Sequence, residues 1–219
     1  SAKGLRIVSV NALQRFNEWT SARAEEARAL AEQAKTAGAE ALVLCPVNED
    51  GFWTDEKTRL ADLRNALSHL APILAGAGLI GLVEPLGFAE CSLRLKSEAV
   101  SAIDAVGAAD RFQLVHDTFH HHVAGEGEFF PGRTGLVHIS GVEDKAVPRD
   151  AMRDPHRVLV GPRDLIDNVG QLRTLIAGGY RGPVSFEPFA AEIAASSDIA
   201  AELQTSIAYV ADGLKADAA

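Results

Sequence analysis

The sequence predicts an α/β fold of the (β/α)8 TIM-barrel type, with six βα units visible. Three observations carry this. Short apolar runs alternate with longer helical stretches along the chain, the pattern of βαβ units around a parallel sheet. The runs are continuously apolar, as strands covered on both faces are. Four of them also end in a carboxylate or a histidine: Glu84, Asp117, His138 and Glu187. A barrel gathers the C-terminal ends of its strands around one pocket, whereas an open doubly wound sheet would spread four successive ends along a line. Four polar ends that need to meet therefore favour the barrel.

The first strand is expected over 5–11 (LRIVSVN), rich in β-branched residues. A helix follows over 21–38, with Ser21 as its cap, acids in its first turn and Gly38 as its stop. ALVLCP (41–46) is the second strand, and 54–78 a second helix that Pro72 should kink or split. Next come a strand at 79–84, a helix around 97–107, and strands at 112–117 and 135–140. The last unit has a helix at 164–179, a strand at 183–187 and a C-terminal helix within about 191–215. The stretch between His138 and the helix at 164 is a long βα loop on the face that carries the polar strand ends. Loops of that length are usually functional or disordered.

At 219 residues and 47% hydrophobic, the chain can bury a sizeable core, and one domain over 1–219 is expected. A net charge of −9 argues against a phosphate-backbone partner, which needs a basic face, and favours a small-molecule substrate. No run approaches eighteen apolar residues, so no membrane partner is expected. Cys45 and Cys91 have no framework spacing and read as reduced, buried thiols of a cytoplasmic protein.

Side chains alternate faces along a strand, so Leu82 and Glu84 share one face, Val115 and Asp117 another, Leu136, His138 and Ser140 a third, and Ser185 and Glu187 a fourth. If the polar ends point inward together, three carboxylates and one imidazole meet. Such a cluster repels itself unless a cation sits within it. An oxygen-rich set with a single imidazole suits one divalent metal ion: manganese, cobalt, magnesium or zinc.

The stretch LVHDTFHHHVAG (114–125) holds four of the seven histidines. By alternation His116 faces the helical layer and packs there. His120, three residues past Asp117, is placed by a turn over the pocket, where it either supports a metal ligand from behind or binds substrate. His121 and His122 are loop residues by default, and His69, within a helix, is structural. In the long loop, Lys145, His156 and Arg157 are candidate substrate contacts, with a solvated surface as the better reading for Lys145. The stretch WTDEKTR at Trp53 reads as solvated surface in the same way, although an aromatic ring beside a barrel mouth could pack on a ligand ring.

Four motifs in order, LVEPLGFAECS, LVHDTFHHHVAG, LVHISGVED and VSFEPF, resemble those of the xylose-isomerase-like TIM-barrel sugar isomerases and epimerases, and most of all the inosose isomerases. NALQRFN (11–17) and the Arg157, Val158, Gly161 segment fit the same pattern. The resemblance implies Glu84, Asp117, His138 and Glu187 as metal ligands. It makes Glu84 and Glu187 the catalytic acid/base pair, and His120, Glu90 and Arg157 substrate-binding residues. Related ketose epimerases also carry a glutamate at the position of Glu90, where inosose isomerases tend to carry an amide. They have an arginine where this chain has Asp144, which counts against a ketose 3-epimerase. Arg163 stands where the family usually has glycine. The family's first two βα units have no counterpart before residue 5. Either the N-terminal quarter is missing from this chain or six units make an incomplete barrel; in the second case the strands at 5–11 and 183–187 have unpaired edges, and association into a homo-oligomer through them is expected.

The implied activity is divalent-metal-dependent isomerisation or epimerisation of a hydroxy-ketone polyol or sugar, an inosose first, by proton transfer through an enediolate. A dehydratase-type lyase on the same scaffold and a non-catalytic truncated barrel are the alternatives. A DNA-repair endonuclease of this barrel class would need more histidine ligands and a basic face, and the chain has neither.

Overall fold

The apolar runs become parallel strands. The computed structural model describes residues 4–53 and 55–215, in two units, Ser1–Val115 and His116–Ala219. Thr54, the first residue of the expected second helix, lies outside the described residues.

In the N-terminal unit β1 (Ser9–Leu13), β2 (Ala41–Leu44) and β3 (Ile80–Val83) pair in chain order, all parallel. Phe112–Leu114 of β4 (Phe112–Asp117) pairs with β3, and β4 runs on into the second unit as His116 and Asp117. Leu42, Val43 and Leu44 have no exposed surface, as expected of a strand covered on both faces. The register sets Leu44 level with Val83, so the next residues, Cys45 and Glu84, leave the sheet side by side. β1 lies further along than the 5–11 expectation. Pairing with β2 begins only at Ser9, and Leu5 and Ile7 before it are exposed.

Three helices connect these strands: α1 (Ser21–Ala37), α2 (Glu56–Ala77) and α3 (Lys96–Ala105). Ala24, Ala27, Ala31 and Ala34 form the buried stripe of α1, small enough to bring the helix close to its neighbours. Its cap is Thr20, not Ser21. Thr20 has the extended backbone of a cap, and its Oγ1 accepts from the Arg23 N–H at 3.1 Å. The acids fall in the second turn, and Gly38 ends the helix at φ 74° as expected. α2 runs through Pro72 unsplit. The exposed ring removes one hydrogen bond, while the buried row Leu63, Leu67, Leu70 and Leu74 continues across it and outweighs the loss.

Gly81 in β3 is required by packing. A Cβ there would stand 2.6 Å from the Phe112 ring and 2.8 Å from Leu74. Gly81→Ala is expected to destabilise the protein by about 1–3 kcal/mol through overpacking. A urea midpoint equal to that of the wild type would show that the two side chains move aside.

In the C-terminal unit β5 (Thr134–Ile139) and β6 (Val184–Phe186) are parallel, with His138 level with Ser185. The helices are α4 (Thr118–Ala124), α5 (Asn168–Ala177), α6 (Ala191–Ala194) and α7 (Ile199–Lys215). Val137, Ile139, Val160, Leu172, Leu175, Tyr180 and Val210 form the core. β6 departs from the covered-strand expectation, since Val184 is 45% exposed.

The other departures have local causes. His121 and His122 are helical, on α4, because Asp117 caps that helix and Gly125 ends it at φ 69°. α5 starts at Asn168 rather than 164. Asp164 instead accepts from the N–H groups of Val142 and Asn168, folding 164–167 into a turn. The single C-terminal helix is two, because Asp198 starts a fresh one by accepting from Ala201 N–H at 3.2 Å. The long loop after β5 is held in place. Gly141 and Val158 exchange backbone hydrogen bonds at 2.8 and 2.9 Å, and two short 3₁₀ turns lie between them. No helix among the described residues is long and apolar enough to cross a membrane.

Candidate metal centre and active site

In the C-terminal unit the strand ends deliver the acids and the imidazole. Asp117 is the last residue of β4, His138 lies near the end of β5, and Glu187 follows β6, where its N–H donates to Ile139 O at 2.9 Å. One potential ligand atom from each of these three side chains lies within 4.8 Å of the others. Asp117 and His138 are buried, and the Glu187 side chain is one-fifth exposed. Two donors on one zinc-sized cation stand at most about 4.3 Å apart, given bond lengths near 2.0–2.2 Å. The three groups therefore converge on one point, and a shared ion would draw them closer together. Two carboxylates and one imidazole also suit a divalent ion chemically.

A cation of the chain's own already links them. Arg157, 1% exposed, donates through Nη2 to Asp117 Oδ2 at 2.5 Å and to Glu187 Oε2 at 2.9 Å. Its Nε donates to Ser140 Oγ at 2.9 Å and its Nη1 to Asp154 Oδ1 at 3.3 Å. The guanidinium lies over the rings of Phe119 and Phe189, 4.9 and 4.8 Å from their centroids. The backbone carbonyl of Arg157 accepts from Phe189 and Ala190 N–H, tying the long loop to the segment after β6. His138 Nδ1 is 3.2 Å from Glu187 Oε2.

Asp117 serves three ends: strand terminus, ion-pair partner and cap. Its Oδ1 accepts from the His120 N–H at 3.0 Å. Burial alone pushes its carboxyl up, but Arg157, His120 and His138 outweigh burial and hold it well below the usual carboxylate range.

The histidines separate as alternation says. His116 is fully buried and turned to the helical layer, with its Nε2 3.0 Å from Gln171 Oε1 and its ring stacked on Phe129. His120 is 5% exposed, its ring edge-on to Phe119. His121 packs against Phe129 and His116. His122 has its pKa lowered by burial and by Arg149. His156 accepts from Arg153 N–H through Nδ1 and closes a local turn, and Lys145 is exposed. Arg163 is exposed and paired with Glu143 at 2.5 Å.

In the N-terminal unit Glu84 directly follows β3 and is 3% exposed. Its N–H donates to Leu44 O at 3.1 Å, and Cys45 Sγ donates to its Oε2 at 3.5 Å. Glu90 lies half-buried on the following turn. Trp53 is half-buried, its indole N–H donating to Asp62 at 2.7 Å. His69 stacks on Trp19 and bonds Asn65 O, a structural histidine.

Sequence reasoning missed three groups near these residues. Cys45 passed as the end of an apolar run, though the strand-end rule that singled out Glu84 applies equally to it. Phe119 and Phe189, each two residues past an acid, carry no pattern that foretells a shared cation between them.

A family model described as xylose isomerase-like TIM barrel matches residues 1–212. An inosose isomerase of Halalkalibacterium halodurans is 26% identical over 202 residues, which cover 86% of this chain and 68% of that protein. A crystal structure of a xylose isomerase domain containing protein from Salmonella typhimurium LT2 superposes with a TM-score of 0.86 at 36% identity, covering 97% of this chain and 77% of that one. An IolI protein with a bound zinc atom superposes at 0.83 and 22% identity, over 96% and 77%, which shows the shared fold.

Proposed function

Because the chain belongs to the xylose isomerase-like TIM-barrel family as an enzyme of isomerase type, we propose that it moves a carbonyl by one carbon in a hydroxy-ketone polyol or sugar, an inosose first, with one divalent cation. The observation that carries this is the convergence of Asp117 and His138, both buried, with the largely buried Glu187. Glu84, at the end of its own strand, is proposed as the fourth ligand. Manganese, cobalt, magnesium and zinc all suit these donors. The relative named inosose isomerase supports the substrate class.

When bound, the cation would supply Lewis-acid polarisation of the ketone oxygen and the neighbouring hydroxyl. One of Glu84 and Glu187 takes the proton from the carbon that bears the hydroxyl, and the electron pair left behind forms the double bond of an enediolate. A glutamate then returns a proton to the former carbonyl carbon, while the hydroxyl proton passes from its oxygen to the former carbonyl oxygen, so the carbonyl has moved and no atom is lost. His120 and Glu90 are the proposed substrate contacts beside this pair. Arg157 belongs with them, but its donors are engaged by Asp117, Glu187, Ser140 and Asp154, so it acts by fixing the oxygens that meet substrate. The family match over 1–212 supports one barrel domain, and two buried thiols, neither in a disulfide, fit a reducing cytoplasm.

The test is NMR of manganese-loaded protein in deuterated water against a panel of inososes and ketoses. Deuterium should enter the carbon next to the carbonyl, with an isomeric ketone as product. A conjugated enone absorbance would identify a lyase, and no exchange with any member of the panel would reject the proposal. Elemental analysis should find about one divalent ion per chain, lost in His138→Ala.

A further inference from the structure

We propose that Cys45 is a positioning residue for Glu84, its thiol fixing the rotation of the carboxylate that is assigned above to proton transfer and to the cation. This rests on the proposed function for its consequence, but the contact itself is independent of it. Cys45 directly follows β2 as Glu84 follows β3, and the parallel register with Leu44 level with Val83 sets them side by side. The backbone on both sides is tied down. Cys45 N–H donates to Leu13 O at 3.0 Å, its carbonyl accepts from Phe16 N–H at 3.1 Å, and Glu84 N–H donates to Leu44 O at 3.1 Å.

From that fixed base Sγ reaches Glu84 Oε2 at 3.5 Å, with the thiol 8% exposed and the carboxylate 3%. The second thiol of the chain is a contrast. Cys91 Sγ bonds the backbone carbonyls of Val47 and Leu93, and burial pushes its pKa up to about 11. Cys45 is the thiol directed at a carboxylate.

A thiol is a weak donor. On Oε2 it holds the plane of the carboxylate at one rotation and withdraws little negative charge from it. A hydroxyl or ammonium in the same place would bind the oxygen more strongly and lower its basicity. The transferred proton and the cation therefore meet Glu84 in one orientation. Outer partners of metal ligands act in this way, and their loss costs about 10–100-fold in metal affinity.

The experiment has two arms on the full chain. In infrared spectra the sulfhydryl stretch of Cys45, assigned by its loss in Cys45→Ala, should lie below that of Cys91, because a charged acceptor weakens S–H more than an amide carbonyl does. Glu84→Gln should move it up and leave the Cys91 band in place. A Cys45 band unmoved by Glu84→Gln would overturn the contact, whatever the protein catalyses. In the second arm, electron paramagnetic resonance titration with manganese alone should give a Kd about 10–100-fold higher in Cys45→Ala, with most of the loss recovered in Cys45→Ser. An unchanged Kd in Cys45→Ala would overturn the positioning role. If the wild type binds no manganese, the proposed function fails, and the infrared arm still decides whether the thiol holds Glu84.

Discussion

Arg157→Met is expected to destabilise the metal-free protein by about 3–5 kcal/mol, because it leaves two acids of a buried ionic cluster without their cation. At this chain length that corresponds to a fall in Tm of about 6–20 °C. Methionine keeps an unbranched apolar stem against Phe119 and Phe189, so most of the loss is electrostatic. Arg157→Lys keeps the charge but lacks the planar fork that reaches Asp117, Glu187 and Ser140 from one guanidinium, and should recover only part of the stability. Manganese should raise the Tm of Arg157→Met more than that of the wild type, since a divalent ion can take over the neutralising role. A variant that melts with the wild type would show that the ion bridge contributes nothing net.

The same pairing has a pH signature. The Asp117 carboxyl, pushed up by burial but held low by Arg157, His120 and His138, is depressed in the folded state. A depressed acid stabilises the fold fully above the ordinary aspartate value near 4, and that stability is lost as pH falls through the folded value. Removing Arg157 removes most of the depression. The gap in stability between wild type and Arg157→Met is therefore expected to narrow as pH drops below about 4. Acid titration of the two unfolding midpoints measures it.

Much of this centre was legible because it follows from period-two geometry. Asp117, His138 and Glu187 were found by asking which polar residues end apolar runs, and the same alternation turned His116 away, toward Gln171. What the pattern could not supply is contact across distant segments. Arg157 was visible as a basic loop residue matching a motif. Its bond to Asp117, forty positions earlier, depends on a loop path fixed by Gly141, Val158 and the segment after β6. Cap identity was equally local and equally hidden. Thr20 and Ser21 are both good caps, and only the backbone angle at Thr20 decides between them. The break before α7 comes from Asp198, which a helical periodicity alone passes over.

Glu187→Gln separates the two duties of that residue. The amide oxygen can still accept from Arg157, the backbone N–H still donates to Ile139, and the side chain is one-fifth exposed. The metal-free fold should therefore lose much less stability than in Arg157→Met. What disappears is the negative charge needed to hold a proton and to bind a cation. General acid–base groups contribute about 10²–10⁴ to rate, so kcat should fall by at least that range. Affinity for manganese should fall with it. If Glu187 served only to anchor Arg157, the order would reverse, with a clear drop in Tm and turnover close to the wild type. Measuring kcat, Kd for manganese and Tm on the same preparations distinguishes the two. Turnover within tenfold of the wild type would remove Glu187 from the acid/base pair and leave Glu84 to carry the proton in both directions.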